Sequence, residues 1–169
     1  MILALYCPDI AQNAGACMRT GACLGVGVDI IEPAGFPVGD AAFRRAGMDY
    51  IQQVAWRRHE TFAAFDRIRR QEGRRLVLFT TGGDMCYLDH AFAPDDVLLF
   101  GRESAGVPEA VHGVADARLV IPLRPGLRSL NVAVSAGMAV AEALRQTGGF
   151  PTTPPRPDRD PGSAASQAR

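Results

Sequence analysis

The feature that most constrains this 169-residue sequence is a set of short runs that are almost wholly apolar, at residues 2–6, 26–31, 76–80, 97–100 and 119–121. A strand with one wet face alternates apolar and polar residues, whereas a strand covered on both faces does not need to. Between these runs the spacing changes to that of helices. Asn13 can cap a helix that ends near Leu24, with Gly25 at its stop. Phe62, Phe65 and Ile68 mark a helix over 61–71, and residues 131–146 form the last, closed by Gly148 and Gly149. A short helix is expected near 40–46 and a short strand at 51–54. The fold class that follows is α/β, a parallel sheet flanked by helices. After Phe150 the sequence becomes PTTPPRPDRDPGSAASQAR, which has too few large apolar residues to build a core. The expectation is one domain over 1–150 and a disordered tail over 151–169.

Composition excludes several kinds of chemistry. Every basic residue is arginine, so a P-loop lysine and Schiff-base catalysis are ruled out within this chain. The four cysteines form no CxxC and the three histidines lack zinc-ligand spacing, so no metal site is expected. Reduced cysteines packed in a core suit a cytoplasmic protein. No apolar run approaches the ~18 residues of a membrane span. The first residues lack the basic segment of a signal peptide and read as a strand. Net charge is zero, yet nine arginines and only four acids lie between Arg44 and Arg75. That run is either a surface for an anionic partner or a set of solvated helix faces.

In an open parallel sheet, ligands bind beyond the carboxyl ends of the strands. Three late strands end in loops suited to this: TTGGD (80–84), GRESAGVP (101–108) and IPLRPGLRSLN (121–131). Glycine lets the main chain approach a ligand closely. The dinucleotide fingerprint GxGxxG and the GxSxG nucleophile elbow are both absent. The last helix is small and apolar on every face, which suits either a subunit interface or a helix buried at the centre of the monomer.

Three motifs together resemble the SPOUT superfamily of RNA methyltransferases: Asn13 to Arg19 (NAGACMR), Leu99 to Pro108 (LFGRESAGVP), and Ile121-Pro122-Leu123 through Arg128-Ser129-Leu130-Asn131. Within it, IIEPAGF (30–36) and FRRAGMDY (43–50) are most similar to the short tRNA wobble-position (residue 34) 2′-O-methyltransferases. The resemblance implies a C-terminal trefoil knot, an obligate homodimer, tRNA as partner and S-adenosylmethionine (AdoMet) as methyl donor, leaving S-adenosylhomocysteine. It assigns donor contacts to Phe79, Gly101, Ile121, Ser129 and Asn131, and catalytic roles to Arg19, Asn13 and Glu103. Phe79 replaces the family's commoner aliphatic residue, Val132-Ala133-Val134 follows Asn131 where relatives often carry Ser and a second Asn, and Ala141 stands where some carry a tyrosine. Arg44, Arg45 and Arg128 are the expected RNA contacts.

A guanidinium stays protonated in proteins, so Arg19 is expected to stabilise a developing alkoxide rather than to act as a free base. Glu103 is expected to bind Arg19 or to help exclude wrong substrates, or else to be an acid at a helix start. Ser129 and Asn131 are expected to combine donor contact with capping of the last helix. Rival readings are a SPOUT enzyme acting elsewhere on tRNA or on rRNA, a catalytically silent RNA-binding dimer, and a nucleotide-binding α/β protein.

Overall fold

Successive residues of a strand point to opposite sides of the sheet, so strands that are apolar throughout must be covered twice. The computed structural model, which describes residues 1–38, 50 and 52–152, has that form. Seven strands, β1 (Ile2–Tyr6), β2 (Gly27–Ile31), β3 (Trp56–His59), β4 (Leu76–Phe79), β5 (Met85–Cys86), β6 (Val97–Phe100) and β7 (Ala117–Val120), make one sheet. Their order is β3-β2-β1-β6-β4-β7-β5, and every pairing is parallel.

Among the described residues, four α-helices cover the sheet: α1 (Ala11–Leu24), α2 (Phe62–Gln71), the short α3 (Glu109–His112) and α4 (Val132–Thr147). One layer joins Leu3, Leu5, Val77, Leu98 and Phe100 to Cys17 and Met18 of α1 and to Ala139 and Val140 of α4. The other joins Ile2, Ala4, Leu76, Leu78 and Leu99 to Phe65 of α2 and Val111 of α3. Odd and even residues of each central strand therefore serve different cores.

The expected α/β class, the central strands and the three long helices are observed, with shifted boundaries. The seventh strand runs over Ala117–Val120 rather than 119–121. Three elements were unexpected: β3, β5 and the one-turn helix α3. β3 lies at Trp56–His59, and Gln52–Val54, expected to be a strand, is turn instead. Its WRRH sequence does not look like a strand because its arginines are spent on partners: Arg57 on Asp29 and Glu72, Arg58 on Glu32. β5 is a two-residue edge strand, too short to produce a pattern. The expected helix near 40–46 and the tail beyond Thr152 lie outside the described residues.

The capping expectation for Asn13 is wrong. Helix α1 begins at Ala11, its N-cap is Ile10, and no side chain caps it. Asn13 instead turns outward to other loops, as described below. Gly25 does close α1 in the left-handed conformation, and Asn131 does cap α4, accepting from the backbone N–H of Ala133 and Val134. Cysteine burial is mixed: Cys7 and Cys17 are buried, Cys23 is exposed. Burial pushes the Cys17 thiol up to about 12, so it packs as a small hydrophobe.

No helix among the described residues is long and apolar enough to cross a membrane. Leu99 is fully buried at the centre of the sheet, between Ala4 and Leu78. Leu99→Ala should lower unfolding stability by about 2–5 kcal/mol, read from the midpoint of urea denaturation.

Candidate functional site

The loops that follow β4, β6 and β7 meet at the carboxyl edge of the sheet. These strands are neighbours in space though far apart in sequence, and β1 pairs with β6 beside them. The loops enclose a cleft of about 720 Å³. Phe79, Gly101, Ile121, Ser129 and Asn131 all line it, with Asn13, Glu103 and Arg128. Among the described residues, no cluster of His, Cys, Asp or Glu is placed to hold a metal ion.

Two close backbone approaches shape the cleft. In the loop after β6, Arg102 and Gly106 exchange backbone hydrogen bonds of 3.0 and 2.8 Å. A Cβ on Gly101 would lie 2.6 Å from the Gly106 carbonyl carbon, so only glycine permits this closure. Gly106 takes φ +66°, a left-handed conformation that glycine adopts without strain. Phe79 and Phe100, both lining the cleft, stack with ring centroids 4.8 Å apart, and Phe92 lies nearly parallel to Phe79 at 6.5 Å. The Phe79 ring is thus part of the core, which leaves its backbone to face the loops.

A line of side-chain hydrogen bonds crosses the mouth of the cleft. Asn13 donates to Glu103 Oε1 at 2.9 Å, and Asn131 donates to Asn13 Oδ1 at 2.9 Å. Asn131 Oδ1 accepts from the start of α4. The other Glu103 oxygen accepts the Asp9 backbone N–H at 2.8 Å. Glu103 lies in a turn, not at a helix start, so the macrodipole account of it does not apply. One amide from α1, one carboxylate from the loop after β6 and one cap of the last helix are thereby fixed relative to one another.

Arg19 is not part of the cleft lining. It lies exposed on α1, with its guanidinium carbon 4.7 Å from the centre of the Tyr50 ring. A cation over an aromatic face is held without surrendering its charge. Tyr50 belongs to the FRRAGMDY stretch but was not singled out by sequence. Arg44 and Arg45 lie outside the described residues.

Asp9 was also missed. Its carboxylate accepts from Arg102 Nε and Nη2 through one oxygen and from the Ser104 backbone N–H and hydroxyl through the other. Those bonds, Arg102 first, hold the Asp9 carboxyl down to about 2. The Pro-Asp dipeptide after β1 reads as an ordinary turn, and nothing in the sequence links it to Arg102, 93 positions away.

Of the nine arginines in the basic run, Arg57, Arg58, Arg69, Arg70, Arg74 and Arg75 are each paired with a carboxylate.

The SpoU rRNA Methylase family model matches residues 1–141. The chain belongs to the SpoU methylase family. Among its relatives, the tRNA (cytidine(34)-2′-O)-methyltransferase of Ancylobacter novellus is 64% identical over 153 residues, covering 90% of this chain and 97% of that one. A structure described as giving insight into the 2-OH methylation of C/U34 on tRNA superposes with a TM-score of 0.81 at 42% identity, covering 86% of this chain and 94% of that one. The SpoU methyltransferase AviRb of Streptomyces viridochromogenes, in complex with AdoMet, superposes with a TM-score of 0.79 at 25% identity, covering 86% of this chain and 60% of that one. The fold is thus shared with a longer chain.

The low Asp9 pKa sets a pH window. Protonation opposes the bonds to Arg102 and Ser104, so their contribution is complete above about pH 4 and is lost as pH falls through about 2. An NMR titration of the Asp9 carboxyl should show its midpoint near 2, well below the 3.8 of a free side chain.

Proposed function

We propose that this protein transfers a methyl group from AdoMet to the ribose 2′-hydroxyl of the wobble nucleotide, position 34, of tRNA. The observation that carries this reading is the convergence of Asn13, Glu103 and Asn131 on one glycine-shaped cleft, in a chain 64% identical to a relative named for that reaction. The family's name refers to rRNA. Near full-length coverage of wobble-position relatives favours tRNA over that alternative.

The cleft suits the donor. Its volume lies in the range of small-molecule sites. Ile121, Leu127 and Leu130 give apolar walls for a purine, while Thr80, Ser129 and the loop backbones give polar contacts for a ribose and an amino acid. Phe79, Gly101, Ile121, Ser129 and Asn131 would hold it. When bound, AdoMet supplies an electrophilic methyl carbon on a sulfonium.

The protein's part is to bring a weak nucleophile to that carbon and to stabilise its negative charge. Arg19 contacts the target ribose and adjacent phosphate and stabilises the forming alkoxide, with Tyr50 limiting where the guanidinium can go. Glu103 and Asn13, bonded to each other, define the edge of the site that receives the ribose. Arg128, at the cleft, and Arg44 and Arg45 engage RNA phosphates.

We further propose that the working form is a cytoplasmic homodimer and that the loops after β6 and β7 form the trefoil knot of the superfamily. Support for the dimer comes from α4. One of its faces is buried, while the other presents Val134, 52% exposed, and Gly137, beside which a Cβ would meet nothing. An apolar helix face left open in the monomer suits a second copy of the chain.

Arg19→Ala should keep AdoMet binding by calorimetry within a few-fold and lose methyl transfer by at least a hundred-fold. Normal turnover would remove Arg19 from the mechanism. Gly101→Ala should lose AdoMet binding, and methyl transfer with it, because the loop can no longer close. Nucleoside mass spectrometry of tRNA from a deletion strain tests the reaction itself. The 2′-O-methylated wobble nucleotide should disappear, and its persistence would overturn the assignment.

A further inference from the structure

Asp9 is built into the molecule more firmly than a turn residue needs to be. Behind it, Cys7 takes a left-handed φ of +46° and donates its N–H to the Ile31 carbonyl at 2.8 Å. Gly35 donates to the Pro8 carbonyl at 2.8 Å and approaches so closely that a Cβ there would lie 2.7 Å from the Asp9 carbonyl oxygen. The backbone of Asp9 is therefore clamped between β1 and the loop that follows β2.

In front, Asp9 bonds to three consecutive residues of the loop after β6. Its carboxylate takes the Arg102 guanidinium and both donors of Ser104, and its own N–H goes to the Glu103 carboxylate between them. The loop is internally rigid through the Arg102–Gly106 bridge. What that bridge cannot do is fix how the loop as a unit sits against the rest of the site. Asp9 supplies that constraint, because four bonds to one carboxylate and one from its amide leave the loop no free rotation about its ends.

We propose that Asp9 is a positioning residue for methyl transfer. It acts through Arg102, Ser104 and Glu103 to hold the Glu103 carboxylate against Asn13 and the reacting ribose. This rests on the reading of the cleft given under Proposed function. Charge and geometry both matter here. An amide in place of the carboxylate turns one acceptor into a donor facing Arg102 or Ser104, which are themselves donors. A glutamate keeps the charge and can reach the same partners by a rearranged side chain.

The test is a double-mutant cycle on kcat with purified wobble tRNA and AdoMet, accompanied by amide hydrogen exchange. Asp9→Asn should lower kcat ten-fold or more while the KM for tRNA and the calorimetric affinity for AdoMet change by less than three-fold. Asp9→Glu should recover most of the loss. In the Glu103→Gln background, Asp9→Asn should cost little more, since coupled residues are not additive. Exchange of amides in residues 101–106 should quicken in Asp9→Asn while that of α4 does not. Arg102→Gln, which leaves the β1 segment untouched, should reproduce the kcat loss if Asp9→Asn folds poorly. Full turnover by a folded Asp9→Asn, or a loss that multiplies with that of Glu103→Gln, overturns the proposal. A wild-type protein that binds no AdoMet and leaves the tRNA unmethylated overturns instead the reading of the cleft on which it rests.

Discussion

A sheet sealed on both faces has only its two ends at which polar chemistry can be done. This constraint organises the whole molecule. Both layers are filled by apolar side chains, with Leu3, Leu78, Leu98 and Leu99 shielded completely from water. A buried polar group in those layers would need a partner or would cost free energy. Among the described residues, the candidate site therefore lies at a strand end, in loops or on the open face of α1. In a parallel sheet the strand ends also differ: the carboxyl ends of β1, β4, β6 and β7 all lie along the same edge.

The opposite edge carries ion pairs that tie down the strand starts. There Asp96, wholly buried, accepts from Arg75 Nε and Nη2 at 2.7 and 2.8 Å and from the Ala93 N–H at 2.8 Å. Asp116 accepts the Leu76 N–H at 2.6 Å and pairs with Arg69, which also donates to the Arg74 carbonyl. In each pair one partner is buried and the other about half exposed, so desolvation falls mainly on Asp96 and Arg69, and the extra hydrogen bonds offset it. These contacts fix the starts of β4 and β6, so their far ends arrive at the cleft in a set register. The paired arginines in the middle of the chain thus act on the fold.

Legibility in the sequence followed the range of each interaction. The central strands were readable because burial on both faces leaves a local mark, a run without polar residues. The three long helices were readable from spacing, and the caps at Gly25 and Asn131 from residue type. β3 was not, since its arginines look like surface until Asp29 and Glu72 are seen beside them. Asn13 was misread for a related reason. Its residue type suits an N-cap, but its partners are Glu103 and Asn131, 90 and 118 positions away. The cleft residues were found through family motifs and not by any periodicity. Asp9 and Tyr50 lay outside those motifs' core positions, and only the fold brings them to Glu103 and Arg19.

These long-range bonds also explain how one small domain can combine a rigid site with an exposed arginine. Glu103, Asn13 and Asn131 are tied into a line that ends in the cap of α4, so the donor-side loops and the last helix move as one body. The same helix presents its open apolar face at Val134 and Gly137, one turn from that cap. Whatever covers this face also stiffens the cap, and through Asn131 and Asn13 it stiffens the carboxylate at the cleft. Packing on α4 and order in the cleft are in this way one mechanical problem. That gives a physical reason for the apolar face and the hydrogen-bonded line to share a helix.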